Sequence, residues 1–155
     1  MEEREIIKHT CHHPNGKLAY QGQGYRENDR FVPHGKGKQY DETGMLQYEG
    51  TFKDGAQDGK GLCYEHGKLR YKGELLAGEY HGKGAVYMPN GNKEYEGQLV
   101  HNCAEGEGKS YYPNGELEYE GTFHDGDFEG QGKLFNPAGK LLHEGQFHEN
   151  EPVKA

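Results

Sequence analysis

The stretch Tyr48-Glu49-Gly50-Thr51-Phe52, YEGTF, returns letter for letter at Tyr119 to Phe123. A duplicated catalytic loop, a duplicated ligand motif and a structural repeat would each produce it. Within the stretch, small or apolar residues alternate with Glu49 and Thr51, which is the period of a half-exposed strand and not of a helix. Outward from it the same frame recurs. An aromatic-x-Gly element stands at Tyr20-Gln21-Gly22, Tyr48-Glu49-Gly50, Tyr71-Lys72-Gly73, Tyr95-Glu96-Gly97, Tyr119-Glu120-Gly121 and, with His for Tyr, His143-Glu144-Gly145. The intervals are 28, 23, 24, 24 and 24 residues, so the two YEGTF copies lie three periods apart and the duplication is structural.

A second element, G-x-G, follows each start at Gly35-Lys36-Gly37, Gly59-Lys60-Gly61, Gly82-Lys83-Gly84, Gly106-Glu107-Gly108 and Gly130-Gln131-Gly132. The distance from the first Gly is nine residues except in the first copy, where it is thirteen; that copy carries a four-residue insertion within Tyr25 to Pro33. A turn element closes each unit: Pro14-Asn15-Gly16, Thr43-Gly44, His66-Gly67, Pro89-Asn90-Gly91, Pro113-Asn114-Gly115 and Pro137-Ala138-Gly139. Pro suits turn position i+1 and Gly accepts positive φ. Asp54-Gly55 and Asp125-Gly126 mark the opposite turn, where Asn102-Cys103 stands in one unit.

Each unit therefore reads as two strands, and the expected fold is all-β: an elongated single-layer antiparallel meander of about twelve short strands. The expected organisation is one array over 1–155. It has an N-terminal strand or cap at 1–19, repeats at 20–47, 48–70, 71–94, 95–118 and 119–142, and a partial repeat at 143–155. The terminal pieces are expected to act as caps, because repeat arrays expose their end edges.

Like surfaces must share a face, which fixes a register. Pairing Phe52 with Gly59, Gly50 with Gly61 and Tyr48 with Cys63 generates one transverse row of glycines through Gly50, Gly61, Gly73, Gly84, Gly97, Gly108, Gly121, Gly132 and Gly145. Beside it run a row with Tyr48, Tyr71, Tyr95 and Tyr119 and a row with Phe52, Leu75, Leu99 and Phe123. Glycine inside a strand leaves nothing to pack, but neighbouring rings can cover the bare backbone. A twisted ribbon with a glycine-floored, aromatic-walled groove is the expected result.

Composition agrees with a thin core. Leu, Ile, Val and Phe make up about 15 % of the chain, under the ~20 % at which a charged chain usually reads as disordered. Twelve Tyr and 26 Gly with a single serine are nevertheless not a disordered composition. The net charge of −8 argues against a general nucleic-acid or anionic-membrane surface. The start, MEEREIIKHT, has no apolar run of signal-peptide length, and three cysteines at spacings of 52 and 40 suit neither a disulfide framework nor a zinc motif. A soluble, cytoplasmic protein with reduced thiols is expected.

Candidate chemistry is sparse. The G-x-G strings would cradle phosphate only at the opening of a helix, and no helical period follows them. His9, Cys11 and His13 alternate and would share a strand face, a soft N/S set suited to zinc or copper but lacking a fourth ligand. His34 and His81 read as turn residues. Ser110 sits in the repeat slot of Cys63, Val86 and Leu134 and reads as a packing variant, with no activating base. Cys103, beside His101, reads as a turn residue replacing Gly. Glu49, Glu96 and Glu120 recur by period, as a solvated face does. No catalytic residue and no cofactor are expected.

The pattern Y-x-G-x-(F/L), a spacer, then H-G-K-G and a closing Gly, clearest from Tyr71 to Gly91, resembles the MORN repeat (membrane occupation and recognition nexus); Tyr119 to Gly139 keeps the same frame. The resemblance covers about residues 12–148. It implies a single-layer β-meander used as a binding platform for helices or extended segments, with phospholipid binding in some members. The expected function is a non-catalytic interaction module with Tyr48, Phe52, Tyr71, Leu75, Tyr95, Leu99, Tyr119 and Phe123 forming the partner-binding groove. The partner is expected to be a protein or peptide, or a second copy of the chain, and not nucleic acid. A membrane-associated adaptor and a metal-binding accessory protein using the N-terminal histidines are the alternatives.

Overall fold

A computed structural model of the protein describes residues 4–154; residues 1–3 of the expected N-terminal cap and residue 155 lie outside the described residues. The described residues form strands and turns only, and each strand's neighbours in the antiparallel sheet are its neighbours in the chain. The chain falls into two compact units, Met1–Glu79 and Tyr80–Ala155. The first holds β1 (Ile7–His12), β2 (Leu18–Glu27), β3 (Arg30–Tyr40), β4 (Leu46–Lys53), β5 (Ala56–Glu65) and β6 (Lys68–Leu76). The second is built from β7 (Glu79–Tyr87), β8 (Lys93–Val100), β9 (Cys103–Tyr111), β10 (Leu117–His124), β11 (Asp127–Phe135), β12 (Leu141–His148) and the two-residue β13 (Glu151–Pro152). Thirteen strands replace the expected twelve because the segment after β12 makes one more short hairpin.

The glycine row forms as the repeat requires. In the first unit Gly22 pairs with Gly37, Gly37 with Gly50, Gly50 with Gly61 and Gly61 with Gly73. In the second, Gly84 pairs with Gly97, and the row continues through Gly108, Gly121, Gly132 and Gly145.

The expected pairing of Phe52 with Gly59 is corrected. Phe52 pairs with Gln57, because Asp58, Gly59 and Lys60 bulge opposite Thr51 alone. The same bulge recurs opposite Gln23, Gln98 and Thr122. Its middle glycine takes a left-handed backbone, with φ +92 at Gly59 and +80 at Gly130, which a β-carbon would strain. The residue facing the bulge satisfies the freed backbone groups: Thr122 Oγ donates to the Gln131 carbonyl at 3.1 Å, Thr51 Oγ donates to the Asp58 carbonyl, and Gln23 Oε1 accepts Lys36 N–H at 2.8 Å. That is the reason for the Thr of YEGTF.

His34 and His81 lie in strands β3 and β7, not in turns. The first bulge residue instead holds the next turn. His34 Nδ1 accepts the Asp54 N–H at 3.0 Å, Asp58 the Ala77 N–H at 3.1 Å, Glu105 the Asp125 N–H at 2.8 Å and Glu129 the Glu149 N–H at 2.9 Å. The second turn N–H also reaches back, as Gly55 to Pro33 and Gly126 to Ala104. The tips at Asp54, Ala77, Asp125 and Glu149 are thus each tied to the preceding repeat by two donors that would otherwise face solvent, whereas at His101-Asn102 the corresponding His81 Nδ1 is buried without a hydrogen bond and the Asn102 N–H bonds the Tyr80 carbonyl.

A second correction concerns Asn102-Cys103. The turn residues are His101 and Asn102, at φ +48 and +69, and Cys103 already belongs to β9. Asn tolerates this conformation, and here its side chain also accepts Tyr80 N–H at 2.8 Å, a bond glycine could not make. On the other edge, Asn90 and Asn114 of the Pro-Asn-Gly turns donate to the Pro113 and Pro137 carbonyls of the following repeat.

The four-residue insertion lengthens the first hairpin by two residues on each strand, adding Arg26↔Phe31 and Glu27↔Arg30 before the Asn28-Asp29 turn. Tyr25 at its base is buried, donates its hydroxyl to Asp54 at 2.8 Å and lies under the Arg4 guanidinium, 4.2 Å from the ring centre.

Candidate functional site

In each unit one face of the sheet carries the rings. Tyr48, Phe52, Tyr71 and Leu75 lie on it in the first and Tyr95, Leu99, Tyr119 and Phe123 in the second, between 0 % and 7 % exposed. Each tyrosine bends across the glycine row instead of standing upright. Its hydroxyl donates to the carbonyl three residues on: Tyr20 to Gln23, Tyr48 to Thr51, Tyr71 to Glu74, Tyr95 to Gln98 and Tyr119 to Thr122, at 2.6–2.9 Å. A β-carbon on Gly61 would come within 2.5 Å of the Tyr48 ring, and one on Gly132 within 2.5 Å of the Tyr119 ring. Only glycine leaves room for the ring.

The phenylalanines lock the tyrosines together. Phe52 sits edge-on to both Tyr20 and Tyr48, at 5.2 and 5.1 Å between ring centres, and Phe123 likewise joins Tyr95 and Tyr119. Such edge contacts contribute about 0.5–1.5 kcal/mol each beyond burial. Burial pushes the hydroxyls of Tyr20, Tyr48, Tyr95 and Tyr119 up to about 12. In the last copy His143 takes the tyrosine's place, stacks edge-on to Phe147 at 5.0 Å and leaves its buried Nε2 without a hydrogen bond, since imidazole is shorter than phenol.

With the rings folded down on one face, the other face of the glycine row is bare backbone. In the first unit it forms an open trough floored by Gly22, Gly37 and Gly50. Gln21, Lys38 and Glu49 stand along one side, and Lys36, Thr51 and Lys60 along the other, with Lys8 and Gln23 continuing the second side toward β1. Lys38 and Glu49 approach at 3.9 Å. In the second unit the register puts Glu96, Lys109, Glu120, Lys133 and Glu144 in one row, each opposite the next, with Lys133 and Glu144 at 3.8 Å. These positions, the residues flanking each glycine, were legible in the sequence only as charge pairs between strands.

The metal candidates separate. His9 pairs with Gly22 and packs on Phe31 at 4.8 Å, Cys11 pairs with Tyr20, and His13 Nε2 lies 2.9 Å from the Tyr40 carbonyl. Among the described residues their ligand atoms do not gather; the group that does is Glu105, His124 and Asp125, whose Glu105 carboxylate is already used by His124 and the Asp125 N–H. Ser110 pairs with Tyr95 and Tyr119 and donates to Glu118 at 2.9 Å. Cys103 is exposed, whereas burial pushes the Cys63 thiol up to about 11.

Comparison with known families gives one consistent match. The profile of the MORN repeat matches residues 48–64, 71–93 and 119–139, and that of the MORN repeat variant matches 33–54 and 104–125. Together they span more than half of the chain. No curated protein matches it.

Proposed function

The chain belongs to the MORN-repeat family, and we propose on that premise that it is a protein-interaction module holding a peptide segment of a partner along its glycine-floored trough. MORN repeats are in general protein or membrane interaction modules and generally non-catalytic. The observation that carries the reading is the bare floor. A glycine row several strands long exposes backbone flanked by polar walls. Tyr48, Phe52, Tyr71, Leu75, Tyr95, Leu99, Tyr119 and Phe123 serve this surface from behind: they hold the floor flat, and a partner meets the backbone and walls they position. The three free cysteines fit a reducing, cytoplasmic setting.

A photo-crosslinking residue placed at Gln21 or at Glu120 tests this in cells or lysate. Protein adducts from these trough positions, and not from Glu42 in an outer turn, are expected. Adducts with the chain itself would identify a second copy as the occupant. The second reading, a membrane-associated adaptor, is favoured by the trough lysines Lys8, Lys36, Lys38 and Lys60. Adducts with phospholipid in place of protein would establish it and overturn the first.

A further inference from the structure

We propose that the trough of the first unit takes an extended acidic segment of a partner protein, one that presents an Asp or Glu at every third residue. The inference rests on the reading of the trough as a binding surface and adds the chemistry of its occupant.

The chain carries a net charge of −8, yet the trough of the first unit is basic. Lys8, Lys36, Lys38 and Lys60 line it against one acid, Glu49, which is paired with Lys38. Among the described residues the ammonium groups of Lys8, Lys36 and Lys60 have no ion-pair partner. The second unit has the same frame and a different charge. Where Lys36 and Lys60 stand in the middle of G-x-G, it has Glu107 and Gln131 as well as Lys83, and its other row alternates Glu and Lys so that it neutralises itself. The repeat fold therefore does not demand these lysines. Three unpaired like charges in one row repel one another, and an anionic occupant removes that cost.

Spacing selects the shape of the occupant. Lys8, Lys36 and Lys60 stand on β1, β3 and β5, with Gln23 and Thr51 on the strands between. At ~4.8 Å per strand they recur about every 10 Å, which an extended chain covers in roughly three residues at ~3.3 Å each. A β-extended segment would turn alternate acids away from the lysines, whereas a polyproline II segment, rising ~3.1 Å per residue, returns to the same face at every third residue and is the extended form that fits. The two walls of the trough are next-but-one neighbours on a strand, such as Lys36 and Lys38, about 7 Å apart. A helix with its side chains needs roughly 10–12 Å, so the floor admits an extended backbone and excludes a helix.

Fluorescence anisotropy with the full chain tests the proposal. The probes are a labelled peptide of about twelve residues with Glu at every third position among Gly and Ser, and a peptide of the same composition with its glutamates contiguous. The spaced peptide should bind more tightly. The double variant Lys36→Gln, Lys60→Gln should weaken it about tenfold, as should raised salt, whereas Lys109→Gln with Lys133→Gln in the second unit should not. Matching melting temperatures establish that the variants are folded. Equal binding of the two peptides, or binding indifferent to Lys36 and Lys60, overturns the proposal. So does a lysine-dependent pull-down on phosphatidylserine vesicles with no peptide binding. A protein crosslinked from Gln21 that survives the double lysine substitution would overturn this inference while leaving the interaction module standing; an absence of crosslinks would remove the module reading itself.

Discussion

The ring of Tyr119 lies over Gly132 of the neighbouring strand while its hydroxyl reaches back to its own Thr122 carbonyl. The pair defines the stabilising unit of this fold, in which a side chain from one strand fills a vacancy built into the next. The same relation holds between Tyr48 and Gly61 and between Tyr95 and Gly108.

Gly132→Ala should therefore destabilise far beyond the usual effect of Ala in a strand. Its β-carbon would fall within 2.5 Å of the Tyr119 ring, which is fully buried and held by Phe123, Phe128 and Phe147. Overpacking of this kind costs about 1–3 kcal/mol, read as a lower urea midpoint. An unchanged midpoint would mean that the ring is free to move.

Phenol and ring separate by substitution. Tyr71→Phe removes the bond to the Glu74 carbonyl while keeping the ring and should cost about 1 kcal/mol, whereas Tyr71→Ala also removes a fully buried ring and should cost roughly 3–5 kcal/mol. Equal losses for the two variants would contradict the packing role of the ring.

High pH should unfold the chain through the tyrosines. Tyr20, Tyr48, Tyr95 and Tyr119 are pushed to about 12 when folded, against about 10 unfolded. A raised folded value stabilises fully below about pH 10 and is lost as pH climbs toward 12. Phenolate absorbance should show these four ionising only as circular dichroism reports unfolding. A titration complete near pH 10 with the sheet intact would refute this.

Two turn anchors titrate at the acid side. The Asp125 N–H and the His124 ring hold the Glu105 carboxyl below its usual range, as the Glu149 N–H and His148 do for Glu129; in return each carboxylate raises its histidine. The carboxylate contribution is lost as pH falls through the lowered Glu value, and the imidazolium contribution as pH rises through the raised His value. The anchors are thus strongest in between, in mildly acidic solution. Proton NMR should find His124 and His148 titrating above about 6.5, and Glu105→Gln should lower the value for His124. Since both histidines are exposed and Glu105 and Glu129 are only partly covered, the melting temperature should change little.

Thiol reactivity should follow burial. Iodoacetamide near neutral pH should modify Cys103 first, Cys11 more slowly, and Cys63 only after denaturation, as read by peptide mass spectrometry. Early modification of Cys63 would show that β4 to β6 open readily.

Much of this architecture was legible in the residues. Tyr-x-Gly recurs at near-constant spacing, and strand alternation left one register in which all the glycines met. The bulge was hidden because Gln57 and Gly59 differ by two positions, so either can oppose Phe52 without turning a side chain over. The true hairpin tip at His101-Asn102 was hidden by the absence of glycine there. The expected aromatic-walled groove put the open face of the floor on the tyrosine side, whereas the open trough lies on the other. Alternation says that Tyr48, Gly50 and Phe52 share a side, but only the tilt of the ring, fixed by its bond to Thr51, decides that the tyrosine covers the glycine on that side and leaves the other bare.

The first hairpin's insertion places two residues on each strand and so leaves Gly22 opposite Gly37. Parity is conserved. A hairpin in this array keeps its glycines paired when residues are added equally to its two strands, and an odd residue is taken up in the turn: the two-residue turn at His66-Gly67 and the longer one between Tyr87 and Lys93 both leave Gly opposite Gly. Length can therefore vary at the tips while the row of glycines stays unbroken.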